Sequence, residues 1–103
     1  MMKLEKAAKQ LEALGNPTRL AIYRILIQVG HKGSPVGEIR KQLGIPASTF
    51  SHHIAKLVQA GLITQERDKR SLNCKADYKN MDALMTFLVY NCCGKDSCIH
   101  VQD

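Results

Sequence analysis

The chain has 103 residues, of which 45% are hydrophobic and 23% charged, and its formal net charge is +6. This composition fits one small globular domain and excludes an intrinsically disordered chain. The surplus of lysine and arginine favours an anionic partner, most often nucleic acid. No apolar run approaches the roughly 18 residues that a membrane span needs, and the first residues lack the apolar core of a signal peptide. We therefore expect a cytoplasmic protein without a membrane partner.

The first thirty residues predict two helices. Apolar residues at helical spacing mark one face of a helix over residues 3–14, which ends at Gly15. Asn16 is a good N-cap and Pro17 suits the first position of a second helix, which runs to about Gln28. The apolar face of the first helix consists of Leu4, Ala7, Ala8, Leu11 and Leu14. The residues expected to point inward from the second helix are Leu20, Ala21, Ile25 and Leu26.

Residues 34–60 have the spacing of a helix-turn-helix motif. Ser34-Pro35 predicts the start of a short third helix that Gly44 ends, and a fourth helix spans about residues 47–60. A short helix, a three-residue turn and a longer helix are typical of this motif. The side of the fourth helix opposite its apolar stripe is polar or basic, and it can reach base edges or phosphates in a major groove. These candidate DNA-binding residues are Ser48, Thr49, His52, Lys56 and Gln59.

The pattern after Gly61 predicts a hairpin and a last helix. Residues 62–65 and 71–75 are typical of two short strands around a polar tip, Glu66–Arg70. A basic tip beside a DNA-reading helix suits phosphate contacts or an arginine in a minor groove. The candidate DNA-binding residues of this tip are Arg67, Lys69 and Arg70. A last helix is expected to be capped by Asn80 and to run through Cys92.

Three segments resemble the ArsR/SmtB family of winged-helix repressors, namely residues 14–20 (LGNPTRL), 48–54 (STFSHHI) and 61–63 (GLI). The resemblance implies an α+β, mostly helical fold, a winged helix-turn-helix with a two-stranded wing. It also implies a homodimer that pairs through its first and last helices, binds double-stranded operator DNA near a resistance gene, and releases it when an inducer binds. The chain departs from the family's two common inducer sites, because the third helix has no cysteine and the last helix has no histidine.

Three of the four cysteines, Cys92, Cys93 and Cys98, lie within seven residues near the end of the chain. Thiolates in a cytosolic protein indicate a soft metal or a redox function. Neighbouring residues of a helix diverge by about 100°, but Gly94 can end the helix, so the three sulfurs can converge on a trigonal ion. The cluster also resembles that of arsenite repressors with a vicinal cysteine pair and a third cysteine beyond the last helix. The implied inducer is As(III) or Sb(III), with no cofactor in the DNA-bound state.

Two alternatives for this cluster stay open. Zinc could be held by the three cysteines together with His100, although directly adjacent cysteines suit a zinc site poorly, and cadmium is a further soft metal for the same cysteines. Thiol oxidation is the second alternative. Cys74 alternates with Leu72 and Ala76 and is expected to be a buried strand residue. No orienting carboxylate or pocket accompanies the tail cysteines, so we expect no enzyme. The expected division is a DNA-binding and dimerisation domain, 1–93, and a tail, 94–103, that contributes to the inducer site.

Overall fold

The computed structural model describes residues 2–90. Within this range five helices and three strands follow one another along the chain. They are α1 (Leu4–Leu14), α2 (Pro17–Val29), β1 (Ser34–Pro35), α3 (Val36–Leu43), α4 (Ala47–Gln59), β2 (Ile63–Asp68), β3 (Ser71–Ala76) and α5 (Tyr78–Val89). The predicted α+β, mostly helical winged-helix fold is confirmed. No helix in the described part of the chain is long and apolar enough to cross a membrane.

Side-chain caps set the starts of two helices. The Asn16 side chain accepts from the backbone N–H groups of Thr18 (2.9 Å) and Arg19 (3.1 Å), so the predicted cap of α2 is confirmed. The predicted cap of the last helix is wrong. Asp77 caps α5 and accepts from the Asn80 N–H at 3.0 Å, so the helix begins two residues before Asn80. It ends at Val89, and Cys92 lies outside the described residues.

The predicted two-stranded wing is the hairpin of β2 and β3, and β1 adds a third strand at its base, so the antiparallel sheet has the strand order β1-β3-β2. Ser34 and Pro35 do not open a helix but form β1, in register with Cys74 and Asn73. Proline has no backbone N–H, and the edge of a sheet tolerates this loss. Gly33 precedes β1 with φ 72°, and a Cβ there would lie 2.4 Å from the Cys74 carbonyl oxygen. The chain can therefore enter β1 only through a glycine.

The core lies between α2, α3, α4 and the base of the sheet. Its fully buried side chains include Ile22, Tyr23, Leu26, Ile39, Leu57, Leu62, Ile63 and Cys74. The inward direction predicted for Leu20 is wrong, because it is 43% exposed and α2 instead buries Ile22, Tyr23 and Leu26. Cys74 is fully buried, as predicted.

The first helix turns most of its leucines away from this core. Its buried residues are Ala7, Gln10 and Ala13, whereas Leu4 is 68% exposed and Leu11 43% exposed. This buried side of α1 packs against α2 and α4. The apolar stripe that the sequence marks as the inner face is therefore mostly an outer face of the single chain.

Candidate DNA-binding surface

The helix-turn-helix consists of α3, the turn at residues 44–46 and α4. Gly44 adopts the left-handed conformation at φ 62° and ends α3. Arg40 of α3 donates through Nη1 to the Ile45 carbonyl oxygen at 3.2 Å, which fixes the turn to the preceding helix. The following helix, α4, buries Phe50, Ile54 and Leu57. Its opposite side is therefore held toward solvent.

The five residues predicted on this side of α4 divide into two groups. Ser48, Thr49 and His52 are exposed in its N-terminal half, the part of such a helix that reaches base edges. Farther along, Gln59 is exposed and Lys56 half-buried, and both line a groove of about 90 Å³ with residues of α1. The N-terminal group is thus the freer of the two to enter a groove of DNA.

The hairpin of β2 and β3 carries the predicted basic tip. β2 extends three residues beyond its predicted end, to Asp68, which pairs with Ser71 at the predicted start of β3, so the turn consists of Lys69 and Arg70 alone. Arg67, Lys69 and Arg70 are exposed. The Lys75 Nζ lies 3.5 Å from Glu66 Oε1, which offsets the charge of that lysine at the base of the hairpin. The positive charge therefore concentrates at the tip.

A polar contact links α4 to the preceding helices. The Arg19 guanidinium donates through Nε to the Ala13 carbonyl oxygen at 2.7 Å, and its Nη1 lies 3.3 Å from His53 Nδ1. Partial burial lowers the pKa of His53 below its ordinary value, and the charge of Arg19 lowers it further, as do His52 and Lys56. A neutral His53 can accept from Arg19, and this contact orients α4 against the α1–α2 junction.

Comparisons with known proteins agree with this geometry. A helix-turn-helix domain family matches residues 14–66. The HTH-type transcriptional regulator YgaV of Escherichia coli K12 is 32% identical over 84 residues, which are 82% of this chain and 83% of that protein. A crystal structure of an ArsR family transcriptional regulator superposes with a TM-score of 0.73 at 25% identity, over 84% of this chain and 87% of the other. The chain belongs to the ArsR family of transcriptional regulators. Such regulators bind DNA and are not enzymes, as expected.

Two further solved structures resemble this ArsR-family chain. One, described as a "possible transcriptional regulator for arsenical resistance", has a TM-score of 0.69 at 26% identity and covers 78% of this chain and 80% of its own. The other is the homodimeric winged helix-turn-helix domain of a Mycobacterium bovis protein, with a TM-score of 0.67 at 24% identity, over 94% and 90% of the two chains. The second likeness shows the fold alone.

The predicted thiol site of this ArsR-family regulator, Cys92, Cys93 and Cys98, lies outside the described residues. Residues 2–90 contain no group of three or more histidine, cysteine or acidic side chains placed to hold a metal ion. Burial raises the pKa of the Cys74 thiol, although Gln65 Nε2, 3.6 Å from the sulfur, acts in the opposite direction. Cys74 is therefore a poor ligand and a poor nucleophile.

Sequence reasoning missed the contacts of four side chains that hold α4, the candidate DNA-binding helix, in place. Arg19 and His53 stand 34 residues apart and meet beside α4. Gln10 and Asn80 donate to the carbonyl groups of Ala60 and Gly61 at the C-terminal end of α4. For Gln10 a signal existed, since it shares a helix face with Ala7 and Ala13, but the more prominent leucines of α1 hid it.

Proposed function

We propose that this ArsR-family protein is an arsenic(III)-responsive repressor that binds operator DNA as a homodimer. The observation that carries the DNA-binding part is the pairing of two exposed surfaces. Ser48, Thr49 and His52 project from the first half of α4, and Arg67 and Arg70 project from the hairpin tip beside the same motif. The helix suits base edges in a major groove, and the tip suits phosphates.

Exposed apolar side chains on the terminal helices support a homodimer. Leu4 and Leu11 of α1 and Met85 and Leu88 of α5 are between 43% and 68% exposed. Exposed apolar patches of this kind are typical of protein interfaces. The homodimeric state of the Mycobacterium bovis domain agrees with the proposal. Two copies of α4 would then address two half-sites of a palindromic operator.

The proposed inducer site consists of the thiolates of Cys92, Cys93 and Cys98. These residues follow α5 directly, so an ion that joins them would act on the same helix that carries Met85 and Leu88. Three soft thiolates suit As(III) or Sb(III), which take three ligands in a trigonal arrangement. The likeness to a protein described in connection with arsenical resistance favours the metalloid over other soft ions.

In the proposed mechanism, the inducer shifts α5 and changes the spacing of the two α4 helices, so the affinity for operator falls. Coupling between two such sites typically amounts to about 1–3 kcal/mol. Because linkage is reciprocal, operator DNA must weaken arsenic binding by the same factor. No cofactor is required in the DNA-bound state.

The test uses an operator duplex selected by binding from randomised DNA, and fluorescence anisotropy with sodium arsenite as the probe. Wild-type protein should release the duplex, and Cys92→Ser and Cys93→Ser should not. Cys98→Ser should respond less strongly, while Cys74→Ser, the matched control, should respond like wild type. New ultraviolet charge-transfer absorption should accompany arsenite binding. Normal release by Cys92→Ser and Cys93→Ser would contradict the proposed sensor site.

A second candidate is the same repressor with a different signal at the same cysteines. Zinc, cadmium or oxidation of the vicinal thiols could each replace arsenic, since all three act on thiolates. The same anisotropy assay distinguishes them with zinc sulfate, cadmium chloride and diamide. Release by one of these and not by arsenite would replace the metalloid with that signal and leave the repressor assignment unchanged.

A further inference from the structure

The C-terminal end of α4 is held by two amide side chains from the two terminal helices. Gln10 of α1 donates through Nε2 to the Ala60 carbonyl oxygen at 3.1 Å. Asn80 of α5 donates through Nδ2 to the Gly61 carbonyl oxygen at 2.7 Å. We call these two side chains and two carbonyl groups the amide clamp.

The helix end is built so that these two carbonyl groups need outside partners. The Gly61 N–H donates to the Val58 carbonyl oxygen and the Leu62 N–H to that of Leu57, the paired bonds that end a helix at a left-handed glycine. Gly61 has φ 80° in agreement. The carbonyl groups of Ala60 and Gly61 lie past these bonds, and the amide clamp supplies their donors.

Both amides converge on Gly61. A Cβ at this glycine would lie 3.1 Å from Asn80 Nδ2 and 3.7 Å from Gln10 Nε2. The Asn80 side chain is itself oriented by Asp77 Oδ2 at 3.2 Å and by Lys6 Nζ, which donates to its Oδ1 at 3.2 Å. One asparagine therefore touches α1, the start of α5 and the turn that follows α4.

We propose that the amide clamp is the connection through which the terminal helices set the position of α4 on DNA, with Asn80 and Gln10 as positioning residues. The inference rests on the proposed function for its inducer. The tail cysteines follow the far end of α5, about 14 Å along the helix from Asn80. A displacement of α5 that reaches Asn80 must either carry Gly61 along or break the bond between them.

The two amides of the clamp differ in how their oxygen atoms are satisfied, because Asn80 Oδ1 accepts from Lys6 and Gln10 Oε1 does not accept from any described residue. Gln10 is fully buried, and its Oε1 has no hydrogen-bond partner among the described residues. A buried acceptor without a donor carries a desolvation cost. The bond to Ala60 is therefore the favourable polar contact that the buried Gln10 amide makes. This favours a role for Gln10 in positioning the end of α4 over a role in packing between Ala7 and Ala13.

The experiment compares Asn80→Ala and Asn80→Asp with Thr86→Ala, a control at an exposed neutral position of the same helix. Asn80→Asp keeps the size of the side chain and removes the donor to Gly61. Two quantities are measured by anisotropy below the unfolding transition. They are the ratio of affinities for selected operator and scrambled duplex, and the weakening of operator binding by sodium arsenite.

Both Asn80 variants should lower the operator preference and the arsenite effect by about threefold to tenfold each, the change expected for one lost hydrogen bond. Arsenite binding to the free protein, followed by ultraviolet absorption, should persist. Thr86→Ala should match wild type. A role in stability alone would lower the melting temperature and leave both ratios unchanged, and that result would overturn the clamp.

The two proposals fail separately. If arsenite does not release wild-type protein from its operator, the arsenic proposal fails, and the operator preference of the Asn80 variants still decides the clamp. If arsenite releases wild type and both Asn80 variants equally, and their preferences are unchanged, the clamp fails and the arsenic proposal stands.

Discussion

Arg19 Nη1 and His53 Nδ1 lie 3.3 Å apart, and this contact joins the start of α2 to the middle of α4. The same guanidinium donates to the Ala13 carbonyl oxygen at the end of α1, so this one side chain of α2 contacts both α1 and α4. Since a guanidinium has only donors, the contact requires a His53 nitrogen that can accept. The protonation of a single imidazole therefore decides whether α4 keeps this support.

Acidification should destabilise the protein through His53. Its folded-state pKa lies below 6.5, chiefly through desolvation and then through Arg19, so the unfolded chain takes up the proton first. The stabilisation that depends on a neutral His53 is fully present above about pH 6.5, and it is lost as pH falls toward the lowered folded-state pKa. Below about pH 6.5, we expect the melting temperature of His53→Gln to vary less with pH than that of the wild-type protein. His52→Gln, an exposed neighbour, is the control, and equal slopes in both variants would count against this origin.

Loss of a wing charge should act on all DNA sequences alike. Arg70 lies exposed at the two-residue turn. Arg70→Ala should weaken binding to specific and scrambled duplexes equally and reduce the slope of log affinity against log salt by about one unit. His52→Ala should instead reduce the preference for operator. Anisotropy over a range of salt concentrations measures both, and an unchanged slope for Arg70→Ala would rule out its phosphate contact.

A charge in the apolar stripe of α5 should abolish the proposed homodimer. Met85 is 48% exposed beside Leu88 at 52%. Met85→Glu should give monomers and weak operator binding, because burying an unpaired carboxylate in an interface is costly. Sedimentation equilibrium provides the measurement. Thr86→Glu adds the same charge one position along the helix and should disturb the dimer less; a fully dimeric Met85→Glu would place the interface elsewhere.

Removal of one buried hydroxyl should leave stability intact. Tyr23 is 2% exposed, and its hydroxyl has no partner among residues 2–90. At neutral pH, Tyr23→Phe should keep or raise the free energy of urea unfolding, by up to about 1 kcal/mol. Destabilisation beyond that amount would reveal a hydrogen bond to this group.

Tyr23→Phe should also change the resistance of the protein to unfolding at alkaline pH. Burial, with Asp77 and Tyr78, raises the pKa of Tyr23 to about 12 from 10.0. The stabilisation that depends on a protonated Tyr23 hydroxyl is present below about pH 10 and is lost as pH rises toward 12. Tyr23→Phe should therefore resist alkaline unfolding better than wild type, whereas Tyr90→Phe, at a residue 65% exposed, should not.

Local signals predicted most of the helices. Asn16-Pro17 and Gly44 have direct conformational effects, and the structure confirms the boundaries that they indicate. In contrast, β1 could not be predicted, because its two residues have no pattern of their own and are defined by pairing with Asn73 and Cys74 far along the chain. Ser-Pro is an equally good helix start when that partner is unknown.

The candidate site divides in the same way. Exposure of the α4 residues follows from helical periodicity, which needs only a stripe such as Phe50, Ile54 and Leu57 as reference. The leucine stripe of α1 faces mostly away from the core of the chain. Periodicity identifies an apolar face but does not say which molecule covers it. The contacts of Arg19 and Asn80 depend on which helices become neighbours, and no local pattern contains that information.

The short strand β1 separates the hairpin into a fixed and a variable part. Its pairing with β3, and the close approach of Gly33, hold the base of the hairpin to the body of the domain. Beyond that base β2 and β3 pair only with each other, up to the turn at Lys69 and Arg70. Pairs of residues can therefore be added to or removed from the two strands without any change in the core. In evolution or in design, the reach of this arm can thus vary independently of α4 and of the DNA sequence that we propose α4 reads.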